Sequence, residues 1–105
     1  MPRYLLVYHG GSMPETEEAG QKSMQAWMAW FGTLGSSVVD GGNPVGMSKT
    51  MHAGGKVTDG GGANPVSGYS VLEAKDDADI ASKAKGCPHL AEGGTIEIAP
   101  IVEMG

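Results

Sequence analysis

Histidine, aspartate and tyrosine side chains are the groups in this sequence that are best suited to chemistry. His9 ends a short apolar run, Asp40 ends a second one, and His89 lies in a loop ahead of the last apolar segment. A neutral imidazole near a carboxylate can act as a general base, because the acid fixes its tautomer. We therefore take His9, Asp40 and His89 as candidate catalytic residues.

Tyr69 and His52 are the candidate ligand-binding residues. Tyr69 lies in a strand-like segment that could line a cavity, whereas His52 lies in a glycine-rich segment. Structural roles remain open as alternatives. His9 would then bond to backbone at a strand end, His89 would cap a helix end, His52 would be solvated, and Asp40 would close an Asx turn with the two glycines that follow it.

No spacing in the sequence supports a metal or cofactor site. The histidines and Asp40 lack the short His-x-His or His-x-x-x-His spacing of metal ligands. The glycine-rich stretches match neither a phosphate-binding loop nor a dinucleotide fingerprint. The only cysteine, Cys87, has no partner for an internal disulfide and is typical of a small buried residue. We expect a protein that uses no cofactor.

Length and charge exclude several classes of partner. The 105 residues predict a single domain, 1–105. The net charge is -5 and the seven Lys and Arg residues are scattered, so we expect no nucleic-acid binding. No apolar run reaches the roughly 18 residues that span a bilayer. The N-terminus enters a strand-like segment instead of a leader, so we expect a cytoplasmic protein with no membrane association.

Hydrophobic periodicity predicts four principal strands and two helices. The strands are expected over 3–9, 36–40, 66–74 and 95–100. A Ser followed three residues later by Glu predicts that the first helix begins at Ser12, and Gly35 ends it. Asp76 is expected to cap the second helix, which stops before Gly86. The apolar stripe of the first helix is expected to contain Met24, Trp27, Met28, Phe31 and Leu34.

This order predicts an α+β fold of the ferredoxin-like βαββαβ type. The sheet would be antiparallel, with both helices on one face. Residues 41–65 would form a glycine-rich hairpin excursion between the second and third principal strands. The uncovered sheet face carries apolar residues and requires a cover, so we expect a homodimer.

Three segments resemble landmarks of the YCII-related family, including its DGPF branch. They are Val57-Thr58-Asp59-Gly60, Ser67-Gly68-Tyr69-Ser70, and the stretch Gly94-Thr95-Ile96-Glu97-Ile98-Ala99-Pro100-Ile101. The resemblance extends nearly end to end. It implies a dimeric α+β barrel in which two ferredoxin-like sheets face each other and enclose cavities.

Two functional hypotheses follow. In the first, a small planar or anionic metabolite sits in the dimer cavity and undergoes cofactor-free isomerisation or hydrolysis, with His9 or His89 moving a proton and Asp40 orienting it. In the second, the same cavity binds a small ligand without catalysis or only completes a dimer core. Met24 stands where family members often carry a histidine, which favours the second hypothesis.

Overall fold

A computed structural model describes residues 1–12 and 15–104 of the chain as an α+β fold. A 3-10 turn at Gly35–Ser37 follows the first helix. The elements run in the order β1 (Arg3–Gly10), α1 (Glu17–Leu34), β2 (Val38–Asp40), β3 (Lys49–Met51), β4 (Val57–Asp59), β5 (Val66–Glu73), α2 (Asp77–Ala84), α3 (Pro88–Ala91) and β6 (Gly94–Pro100). In the described ranges, no helix is long and apolar enough to cross a bilayer.

Four strands form one antiparallel sheet in the order β2-β5-β1-β6. This arrangement is consistent with a ferredoxin-like fold. β3 and β4 pair only with each other, and His52 N–H donates to the Lys56 carbonyl at 2.7 Å where the chain turns between them. This hairpin lies within residues 41–65, the segment in which the sequence predicts a glycine-rich hairpin excursion. The radius of gyration is 15.1 Å, above the roughly 13 Å of a compact domain of this length.

Alternation along the central strand separates a covered and an open face of the sheet. Tyr4, Leu6 and Tyr8 share one face, as period-two alternation predicts, and in the structure that face is the buried one. They share one core with Trp30 of α1 and with Ile80 and Ala84 of α2. The opposite face, which we call the open face, carries half-buried apolar side chains at Leu5, Val7, Tyr69, Val71 and Ala99.

The first helix begins later than the sequence predicts. Thr16 is its N-cap, and the Thr16 hydroxyl accepts from the Ala19 N–H at 3.0 Å. Ser12, the predicted cap, instead donates its hydroxyl to the Glu92 carbonyl at 3.2 Å. Met13 and Pro14 of the predicted capping sequence lie outside the described residues.

The apolar stripe of α1 also differs from the prediction. Met24 and Met28 are 66% and 67% exposed, whereas Trp30, outside the predicted stripe, is 6% exposed. Trp27, Phe31 and Leu34 do pack against the core. The helix therefore turns Trp27, Trp30, Phe31 and Leu34 toward the sheet, a set that follows the same i, i+3, i+4, i+7 spacing.

The second helix follows its prediction closely, but a third helix was not foreseen. The Asp76 carboxylate accepts from the Asp79 N–H at 2.8 Å, which confirms the cap. After Gly86, the segment Pro88–Ala91 forms the short helix α3 instead of a loop. Proline at the first helical position fits this turn because its fixed φ is helical and it needs no N–H partner there.

Candidate functional site

A pocket of about 530 Å³ lies between α1 and one end of the sheet. Tyr8, Trp27 and Phe31 give it aromatic walls. The loop after β2 and the start of β5 also contribute to the lining, including Gly41, Gly42 and Gly68, which carry no side chains. The volume is within the range of small-molecule sites, and the lining is mostly apolar with a few polar groups at one end.

His89 is the central polar group of this pocket. Its side chain is buried, and Nε2 donates to the backbone carbonyl of His9 at 2.9 Å. A neutral His89 with its proton on Nε2 leaves Nδ1 as an acceptor. Within the described part of the chain Nδ1 has no hydrogen-bond partner, and it is not sealed from solvent.

Two glycines leave the space that the His89 ring occupies. A methyl group on Gly94 would overlap the ring, and one on Gly11 would approach Cε1 to 2.8 Å. The Tyr8 ring packs beside the imidazole with centroids 5.3 Å apart. The position of the ring is therefore set by backbone and aromatic contacts on several sides.

Glu92 and Ser23 complete the polar end of the pocket. The Ser23 hydroxyl of α1 donates to the Glu92 carboxylate at 2.5 Å, and the Glu92 carbonyl accepts from the Ser12 N–H at 3.0 Å. Neither Glu92 nor Ser23 is a candidate on the basis of the sequence. The only available signal was the position of Glu92 three residues after His89, because a short helix there places the two on neighbouring turns.

A buried hydrogen-bond chain supports the wall of the pocket. The Tyr8 hydroxyl donates to Ser70 Oγ at 2.8 Å, and Ser70 donates to the Gly41 carbonyl at 2.7 Å. Burial raises the pKa of Tyr8 far above its ordinary value. The phenol therefore stays protonated and acts as a donor between the central strand and the loop after β2.

His9 belongs to a different environment from His89. Its ring lies on the open face, where Nε2 contacts Glu97 Oε1 at 2.9 Å and Nδ1 contacts the Pro65 carbonyl at 3.3 Å. The hydrogen bond to Glu97 raises the pKa of His9 above its ordinary value. The two candidate histidines thus meet through the His9 carbonyl, and their rings lie on opposite sides of the sheet.

Asp40 lies outside the pocket. Its Oδ1 accepts from the Gly42 N–H at 2.8 Å, so the carboxylate closes an Asx turn, the structural alternative given above. Asp40 contacts neither candidate histidine among the described hydrogen bonds. The geometry does not assemble the His/Asp pair.

Tyr69 and His52 have separate positions. Tyr69 borders the pocket, and its N–H donates to the Asn43 carbonyl at 3.3 Å. His52 is exposed on the hairpin, where Nε2 contacts Thr58 Oγ1 at 2.9 Å. His52 is not among the residues that line the pocket.

Cys87 is 3% exposed, as expected for a structural cysteine. Burial raises the pKa of its thiol to about 11. Across the described ranges, no three His, Cys, Asp or Glu side chains are placed to hold a metal ion.

Comparison with known proteins adds no identification. No protein-family model matches the chain, and no curated protein shows significant similarity to it.

Proposed function

We propose that the chain binds a small organic molecule in the pocket between α1 and the sheet, without a cofactor. The observation that carries this proposal is His89, a buried imidazole whose tautomer is set by the His9 carbonyl and whose other nitrogen is left without a partner in the described structure. Because Nδ1 is an acceptor that borders a mostly apolar pocket and is paired with no described group, it is suited to a ligand that donates a hydrogen bond.

Cofactor-free proton transfer is a second candidate function of the same site, and Nδ1 of His89 favours it. A ligand bound with an acidic hydrogen toward Nδ1 would give its proton to the imidazole, which would return a proton to the same or a neighbouring atom. The role first given to Asp40 does not enter this proposal, since the His9 carbonyl orients the ring.

Fragment binding followed by NMR tests the pocket. We expect aromatic fragments to perturb amide resonances of the pocket lining. His89→Ala should weaken the affinity for these fragments by about tenfold or more. His52→Ala is the matched control because His52 lies on the hairpin, away from the pocket. Fragments that bind elsewhere, or that bind His89→Ala as well as the unchanged chain, would contradict the proposal.

Hydrogen exchange separates catalysis from binding. A bound fragment with an acidic C–H would exchange it for deuterium in D₂O if His89 moves the proton. We expect exchange to be lost in His89→Ala and kept in His52→Ala. Binding without any catalysed exchange would support the ligand-binding function and contradict proton transfer.

We also propose that the fold is ferredoxin-like, that the chain is related to the YCII family, and that it forms a homodimer shaped as an α+β barrel. The central position of β1 and β5 in the order β2-β5-β1-β6 supports the fold. The apolar side chains of the open face, such as Val7 and Val71, support a second copy as its cover.

Light scattering after size exclusion tests the dimer. Val71→Asp puts a charge in the middle of the open face and is expected to yield monomers. Ala81→Asp is the control, because Ala81 is exposed on α2, on the helical side of the sheet. A monomeric unchanged chain, or a Val71→Asp variant that still dimerises, would contradict this part of the proposal.

A further inference from the structure

The aromatic lining of the pocket favours a planar occupant. The Tyr8 and Trp27 rings meet edge to face at 77° with centroids 5.2 Å apart, and Phe31 lies 5.9 Å beyond Trp27. Gly41 and Gly42 also line the pocket, and Gly41 packs against the edge of the Phe31 ring. A pocket lined by aromatic rings and glycines suits a planar ring that stacks or packs edge-on against those rings.

The charge of the lining disfavours an anion. None of the seven Lys and Arg side chains lines the pocket, whereas the Glu92 carboxylate does. A carboxylate or phosphate group placed there would lose its hydration and face a like charge without a cationic partner.

Several backbone donors near the pocket are also engaged. The Gly42 N–H is held by the Asp40 carboxylate, and the Ser12 N–H by the Glu92 carbonyl. At the start of α1, Thr16 accepts both the Ala19 and the Gly20 N–H. The helix start therefore presents neither of these N–H groups to an anion, despite the favourable dipole.

The polar end of the pocket consists mainly of acceptors. Nδ1 of His89 is without a partner in the described structure, and the Glu92 carboxylate has more acceptor sites than the Ser23 hydroxyl fills. A ligand that satisfies these atoms must donate a hydrogen bond.

We infer that the ligand is a planar aromatic molecule that carries an O–H or N–H donor directed at His89 and bears no negative charge, such as a hydroxyaromatic or an azole. This inference rests on the proposed function of the pocket. It selects the planar class from the two, planar or anionic, that the sequence leaves open.

Three probes of similar shape test the ligand class on the intact protein. They are 4-methylphenol, which is neutral and donates; toluene, which is neutral and cannot donate; and benzoate, which is an anion. Binding is followed by the indole N–H resonance of Trp27, which lines the pocket. Trp30 serves as the internal reference because its Nε1 donates to the Lys83 carbonyl outside the pocket lining.

We expect 4-methylphenol to bind about five- to tenfold tighter than toluene, the value of one net hydrogen bond, and benzoate to bind more weakly than both. His89→Ala should remove the advantage of 4-methylphenol over toluene, whereas His52→Ala should keep it. Benzoate binding as tightly as 4-methylphenol, or an advantage that survives His89→Ala, would overturn the ligand class while leaving the pocket as a binding site. Failure of all three probes to shift Trp27 would overturn the proposed function as well.

Discussion

His89 Nε2 donates to the backbone carbonyl of His9 across 2.9 Å, so one histidine is held by the main chain of another. The bond joins α3 to the end of β1, two elements that are far apart in sequence. It satisfies a buried carbonyl and leaves the second ring nitrogen to the pocket. Substitution of the glycines around the ring can therefore test this arrangement.

Gly94→Ala is expected to displace the His89 ring and destabilise the fold. The backbone of Gly94 has no positive φ, so the harm comes from overlap of the new methyl group with the imidazole. We expect the free energy of unfolding to fall by about 1–3 kcal/mol in urea denaturation. In the double variant with His89→Ala the overlap is gone, so the two changes should cost less than their sum.

Gly32→Ala is the matched control for that variant. A methyl group at Gly32, near the end of α1, would meet no atom within 4 Å. Alanine there should raise the stability by about 0.5–1 kcal/mol through helix propensity. If Gly94→Ala proved as stable as Gly32→Ala, the close placement of the imidazole against Gly94 would be wrong.

The His9–Glu97 pair predicts that stability falls as pH rises. The hydrogen bond to Glu97 raises the pKa of His9 in the folded state above its unfolded value of about 6.5. The stabilisation is therefore complete below about pH 6.5 and is lost as the pH rises through the folded pKa. Urea denaturation between about pH 5.5 and 8.5 should record a decline that Glu97→Gln reduces.

Glu103→Gln supplies the comparison for this pH series, since Glu103 is exposed and forms no ion pair within the described ranges. It should keep the decline of the unchanged chain. An equal decline in Glu97→Gln would assign the pH dependence to other groups.

The Tyr8–Ser70 hydrogen bond predicts a coupled loss of stability. Tyr8→Phe removes a donor and should cost about 1 kcal/mol. Ser70→Ala should cost about 2 kcal/mol, because it leaves both the Tyr8 hydroxyl and the Gly41 carbonyl without their partner. The double variant should cost less than the sum of the two.

Tyr4→Phe is the matched control for Tyr8→Phe, because the Tyr4 hydroxyl bonds to a solvent-exposed side chain. The Tyr4 hydroxyl donates to the exposed Asp77 carboxylate at 3.0 Å, so we expect a change within about 0.5 kcal/mol. Thermal or urea unfolding that gives strictly additive losses for Tyr8 and Ser70 would count against the buried chain.

Cys87 should react slowly with Ellman's reagent in the native protein. The thiol is 3% exposed and its pKa is raised to about 11 by burial, so little thiolate is present at about pH 8. Unfolding in urea should make the reaction fast, and Ser82→Cys should add a fast-reacting thiol on the exposed side of α2. A native Cys87 that reacts as quickly as the unfolded chain would contradict its burial.

The strand pattern was predictable because alternation is a local property. Tyr4, Leu6 and Tyr8 could be assigned to one face from period two alone, and the cap at Asp76 from residue type alone. The buried stripe of α1 could not be chosen in this way. Met24, Trp27, Met28 and Phe31 satisfy the same i, i+3, i+4, i+7 spacing as the set that packs on the sheet, which is Trp27, Trp30, Phe31 and Leu34. The larger area buried by Trp30 decides the rotation of the helix, and that depends on the sheet beneath it.

The site was predictable only in part. His89 could be chosen from residue type, but its bond to the His9 carbonyl depends on the antiparallel pairing of β1 with β6 and on the unforeseen helix α3. Asp40 was a reasonable candidate at a strand end, yet a local Asx turn engages it. Ser23 and Glu92 come together only in the folded chain, so no spacing could have paired them.

The loop after β2 has a further consequence for the behaviour of the edge of the sheet. The Asp40 turn interrupts β2 after three residues, and the edge resumes as a single bridge between Pro44 and Gly68. Proline has no N–H, and an interrupted three-residue strand offers few aligned backbone N–H and C=O groups to a strand from another chain. This edge is therefore a poor template for the strand-by-strand addition that builds fibres, so the chain resists such aggregation along that side.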